Sequence, residues 1–149
     1  MRSAYRALAY IVAVEVVVQA AAIAFAFFGL GKWIDDGATL DKSTMESQPN
    51  FTGAIGFAIH GINGQMIIPL LALILLIVSF FAKIPDGSKW AGFVLLAVVV
   101  QVALGMFGHA APALGPLHGL NAFILFAVAG YAGSRVKSSV APAPEPRLA

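Results

Sequence analysis

The sequence predicts an all-α membrane protein: four transmembrane helices, arranged as two parallel-repeat helix pairs, with both termini on the cytoplasmic side. Three observations carry that expectation. Of 149 residues, 60% are apolar and only 11% are charged, against about a quarter charged in a water-soluble domain, so too few polar side chains exist to cover a globule in water. The apolar residues gather into four long runs separated by polar or Pro/Gly-rich turns. Two short words also recur in the same order: Val16-Val17-Val18-Gln19 then His60-Gly61-Ile62-Asn63, and Val98-Val99-Val100-Gln101 then His118-Gly119-Leu120-Asn121.

The first run covers about residues 7–30 and follows an N-terminus with two arginines. A secretory signal has an apolar core of roughly 7–15 residues and a small-residue cleavage site; this run is longer and shows no such site, so it reads as a retained span. Residues 31–50 form a polar loop opening with Trp33 at an interfacial position. The second run, about 51–82, exceeds the roughly 20 residues a span needs. Pro69 lies inside it and removes a backbone donor, which predicts a bend. A two-lysine turn over 83–89 leads to the third span, about 90–108, opened by Trp90. The fourth, about 116–133, starts at Pro116, whose missing N–H costs nothing in the first turn of a helix. Residues 1–134 thus make one bundle. Residues 135–149, ending in Ala-Pro-Ala-Pro-Glu-Pro-Arg-Leu-Ala, read as a disordered cytoplasmic tail.

Seven of the nine Lys and Arg lie in the N-terminus, the 83–89 turn and the tail; the other two lie in the first loop, where four acids outnumber them. The positive-inside rule then puts both termini in the cytoplasm, so the two helix pairs share one orientation. The expected location is a bacterial cytoplasmic membrane, with the lipid bilayer as first partner. Oligomers remain open. The absence of cysteine excludes disulfides, thiolate metal sites and cysteine catalysis. No phosphate loop, nucleophile–base pair, zinc spacing or nucleic-acid patch is present.

Histidine in lipid is costly and marks function by default, and neutral imidazole is a good iron ligand. His60 and His118 occupy matching places near the outer ends of the second and fourth spans, so a facing pair is expected. Gly56, His60 and Gly64 share one helix face at four-residue spacing, Gly61 follows His60, and Gly119 follows His118. Small residues beside an imidazole leave a flat slot, which a porphyrin needs. Asn63 and Asn121 are placed to support the ligands, and Gln19 and Gln101 to hydrogen-bond near the edge of such a site or as glue between helices. These residues form the candidate haem b site, with His60 and His118 as metal ligands and no catalytic residue. Glu15, on the face of Gln19, reads either as a proton relay or as a protonated carboxyl bonded to a neighbour. His109 reads as a third ligand, a haem-propionate contact or an interfacial residue, with the last favoured. Small residues at four-residue spacing also let membrane helices pack without any cofactor, so a cofactor-free accessory or scaffold subunit is the alternative.

The doubled motif resembles one half of a haem A synthase, a family of two fused four-helix bundles with histidines on the second and fourth helices of each near the outer face. It is also similar to a group of small bacterial four-span proteins with His-x-x-Asn near the start of the same helices. The resemblance covers the four spans and implies His60 and His118 as axial haem ligands. The synthase's reactive half carries Glu-x-x-x-His, whereas Gly56 and Leu114 stand four residues before these histidines. The resemblance therefore implies haem binding rather than the synthase reaction. The reading that follows from the site is electron transfer with a quinone or a membrane oxidoreductase partner.

Overall fold

The computed structural model describes residues 1–47, 49–108 and 110–136. His109 and the tail from residue 137 onward lie outside these residues. The described chain is helix and turn without strands, and four helices are long and apolar enough to cross a membrane.

Helix α1 (Arg2–Asp35) runs past both ends of its apolar core because nothing breaks it before Gly37, whose φ is +100°. Its 34 residues span about 50 Å at 1.5 Å each, against an apolar bilayer core of about 30 Å. Its C-terminal end is sheathed by residues 51–57. A side chain at Gly29 would collide with the backbone oxygen of Thr52, and one at Gly56 with that of Ala22. Gly53, at φ +100°, lies against the Phe25 carbonyl. These glycines let two backbones touch, and Trp33 stacks on Phe51 above them. The loop expected over 31–50 contains a short helix, α2 (Lys42–Glu46), capped by Asp41, whose carboxylate accepts from the Thr44 N–H at 2.8 Å.

The second span is not one regular helix. It consists of α3 (Ile55–Ile62), a π turn over Asn63–Ile67 and α4 (Ile68–Ala82). The Ile68 N–H bonds the Asn63 carbonyl five residues back. The wide turn sits just ahead of Pro69, where the missing N–H and the bulk of the ring already disfavour α-helical spacing. It also absorbs one residue. The buried Leu125, Ala129 and Ala132 lie seven, eleven and fourteen residues after His118, whereas Ile68, Ala72 and Leu75 lie eight, twelve and fifteen after His60. Without the extra residue in the turn, either the histidine or the core face would point the wrong way.

Helix α4 ends at Lys83 in the left-handed conformation, φ 51°. Helices α5 (Gly87–Gly108) and α6 (Leu114–Ser134) follow after short turns and begin two or three residues earlier than the apolar runs suggest. In cross-section the order around the bundle is α1, α3/α4, α5, α6, with α6 closing on α1. The α3/α4 span and α6 therefore face each other across the diagonal. The core is rich in alanine: Ala9, Ala72, Ala91, Ala129 and Ala132 are fully buried, between larger Tyr5, Val12, Leu75, Val94 and Leu125. Small residues let the helix axes approach closely. Below the core, the Tyr5 hydroxyl donates to the Gly87 carbonyl at 2.9 Å, and Arg135 donates to the Pro85 carbonyl and pairs with Asp86. All of this packing lies in one half of the bundle, ending at Ala13, Ile68, Val98 and Leu125.

Candidate functional site

Where the packed core ends, a polar cluster begins. Gln101 lies one turn beyond it on α5 and Gln19 less than two turns beyond it on α1, and the two histidines come from α3 and α6. The His60 Nδ1 lies 3.2 Å from the backbone oxygen of Gln19, and the His118 Nδ1 lies 3.0 Å from that of Gln101. A carbonyl oxygen only accepts, so each Nδ1 carries the proton and donates it, and each Nε2 carries a lone pair. The ring centres are 6.1 Å apart, with planes inclined at 60°. Two helices on the diagonal thus present two oriented imidazoles to one another, both in the tautomer that leaves Nε2 able to bind a metal.

The two halves differ around this common bond. Asn121 donates through Nδ2 to the Ala97 carbonyl at 2.9 Å and to Gln101 Oε1 at 2.7 Å. Held that way, the Gln101 amide points its Nε2 at His118 Nε2, 3.1 Å away, and donates to it. Asn63 instead donates to Glu15 Oε2 at 2.6 Å. The Gln19 amide nitrogen is buried and has no hydrogen-bond partner among the described residues. Glu15 and Ala97 each stand four residues before the glutamine of their helix, so one carboxylate accounts for the difference.

The histidines border a cavity of about 630 Å³, within the roughly 300–1,000 Å³ range of small-molecule and cofactor sites. Of the residues singled out from the sequence, Gln19, His60, Gly61, Gly64, Gln101, His118 and Gly119 line it. Gly61 and Gly119 face open space, whereas a Cβ at Gly64 would press on Gln19 Oε1. Gly56 is placed elsewhere, against Ala22 and Ala26 of α1, where it serves helix packing. Asn63 and Asn121 stand behind the wall rather than in it. The remaining wall is apolar except for Gln65, and includes Val16, Val98, Leu125 and Phe126, with the exposed Met106 and Phe123 at its rim. Gly105 is a residue the sequence did not point to: a Cβ there would lie 3.1 Å from His118 Cε1, so a larger residue would require the imidazole to shift. Its signal was its place, one turn after Gln101 on the same face.

Among the described residues no three His, Asp or Glu side chains converge, so a site for a bare metal ion, which takes three or four protein ligands, is not built from them. What the described residues bring together instead is two imidazoles on the wall of one cavity. Comparison with known protein families, curated proteins and solved structures finds no match.

Proposed function

We propose that the protein is a small integral-membrane haem b protein of the bacterial cytoplasmic membrane, with His60 and His118 as axial ligands, passing electrons to or from a quinone or a membrane oxidoreductase. The observation that carries this reading is the pair of imidazoles 6.1 Å apart, each fixed through Nδ1 on a backbone carbonyl. Two metal–imidazole bonds of about 2 Å and the half-widths of two rings fill such a span. The residues around the pair suit the group as well. Gly61 and Gly119 keep the space beside the rings clear, the cavity of about 630 Å³ lies in the range of cofactor sites, and most of its wall is aliphatic or aromatic. For His118 to hold the iron, the Gln101 amide would leave its place on His118 Nε2.

When bound, the haem supplies one-electron redox chemistry. The chain's own residues orient it: the carbonyls of Gln19 and Gln101 hold both rings and raise their basicity as ligands, and the apolar wall sets a low dielectric. The site lies in the outer half of the bundle under the positive-inside orientation, and one haem there does not bridge a core about 30 Å thick, so a mobile carrier or partner is required. The recurrence of the glutamine–histidine bond in α1/α3 and α5/α6 supports two helix pairs related by an axis along the membrane normal, as in one half of a haem A synthase. The lack of a glutamate four residues before either histidine argues against that enzyme's reaction.

One observation favours a cofactor-free accessory subunit: His118 Nε2 already has a protein partner in Gln101. A reduced-minus-oxidised spectrum of the detergent-purified protein separates the two. The haem reading expects stoichiometric haem with Soret and α bands. Protein that stays colourless after expression with ample haem and after reconstitution supports the subunit reading instead.

A further inference from the structure

Resting on the haem reading, we infer that the two histidines are unequal: His60 is the fixed ligand, and His118 is an exchangeable one whose place a small neutral molecule can take. Gln101 grips His118 at both nitrogens, its backbone oxygen on Nδ1 and its side-chain amide on Nε2. A His118 that leaves the iron therefore has an acceptor site waiting for its Nδ1 proton and a donor waiting for its Nε2 lone pair, both in place in the structure. The exchange is balanced. The iron–Nε2 bond breaks, the amide N–H replaces it, His118 keeps its proton, and no electron moves. His60 has no such alternative, because its Nε2 has no hydrogen-bond partner among the described residues and the Gln19 amide is not turned toward it.

The inequality traces to Glu15. Asn121 finds only backbone at Ala97 and so also takes Gln101 Oε1, which aims the amide at His118. Asn63 finds the Glu15 carboxylate and leaves Gln19 alone. Glu15 is thus a positioning residue: it keeps the first half from forming the competitor that the second half has. Losing its carboxylate frees Asn63 to orient Gln19 onto His60, which makes both ligands exchangeable.

The probe is carbon monoxide, added to the reduced, detergent-purified full-length protein and followed by the Soret shift. Wild type takes up carbon monoxide while keeping its haem. Gln101→Leu removes the competitor and lowers carbon monoxide affinity about fivefold, the range expected for one net hydrogen bond. Glu15→Ala keeps its carbon monoxide response but loses haem to an acceptor apoprotein about fivefold faster than wild type. Glu15→Gln, which still accepts from Asn63, holds haem as wild type does, and this rescue separates positioning from a general loss of fold. A low-spin Soret band that ignores carbon monoxide, or a Gln101→Leu protein with unchanged affinity, overturns this inference and leaves the haem reading standing. Protein without any Soret band overturns both.

Discussion

At Gly61 and Gly119 the structure separates folding from binding. Neither faces any atom that a methyl group would strike, and alanine in a helix interior is favoured over glycine by about 1 kcal/mol. Gly119→Ala should therefore leave the thermal midpoint of the haem-free protein unchanged or slightly raised, yet reduce the haem it carries, because the methyl enters the space beside His118. Gly105→Ala acts differently, since its methyl meets the imidazole itself at 3.1 Å. Equal haem content in Gly119→Ala and wild type would show that the open space beside that ring is not a cofactor slot. The roles of these two glycines were only half legible in the sequence. A stripe of small residues marks a close approach, but whether a helix, a side chain or a ligand makes that approach depends on rotation about the helix axis. Hence Gly56 was grouped with the histidines although it packs against α1, and Gly105 was passed over. The partner of Asn63 was likewise hidden, because Glu15 and Gln19 lie on the same face of α1 and spacing alone does not say which of them Asn63 meets.

The second span shows how an element reconciles a site with a core. Pro69 announced a bend, but the one-residue offset between His60 and the buried face becomes visible only once Ile68 and Ala72 are known to be buried. Deleting Gly64 should remove the offset and force the π turn toward α-helix. Pro69 then sits in a regular helix and costs about 3 kcal/mol; adding Pro69→Ala to the deletion should recover most of that loss in thermal unfolding. Equal stability of the single and double variants would mean that Pro69 and the π turn are unrelated. In the loop between α1 and α3, hydrogen bonds from the Thr44 N–H and from the Ser43 and Thr44 hydroxyls lower the Asp41 carboxyl to about 2. A folded-state pKa below the ordinary value of 3.8 stabilises the cap at higher pH, and this support is lost as pH falls from about 4 to about 2. The protection of the Thr44 amide, measured relative to its intrinsic exchange rate, should fall across that window in wild type and not in Asp41→Asn, which keeps a neutral acceptor. Protection that is flat with pH in wild type would contradict the capping role.

For the whole molecule, composition and four apolar runs were enough to read the bundle, because a bilayer leaves a chain of this polarity few other ways to satisfy its backbone. The excess length of α1 was not, since its ends are polar and helical for local reasons. Orientation follows from charge alone and is tested by cysteines at Ser43 and Ser138: reagent outside intact cells should label the first and spare the second, and the reverse pattern inverts the topology. Packing at one end, with the tyrosine, arginine and alanine layer, frees the other end to keep a cavity between the diagonal helices. That division of labour predicts that the site can be emptied without unfolding the bundle. The central claim, that His60 and His118 together hold the iron, is tested most directly by the spin state of bound haem in single variants. Wild type should be six-coordinate and low-spin by its oxidised absorption and electron paramagnetic resonance spectra. His118→Ala should retain haem in a high-spin form, and His60→Ala should lose most of it, with both proteins still folded by circular dichroism. A low-spin spectrum and full haem content surviving in either variant would contradict the account.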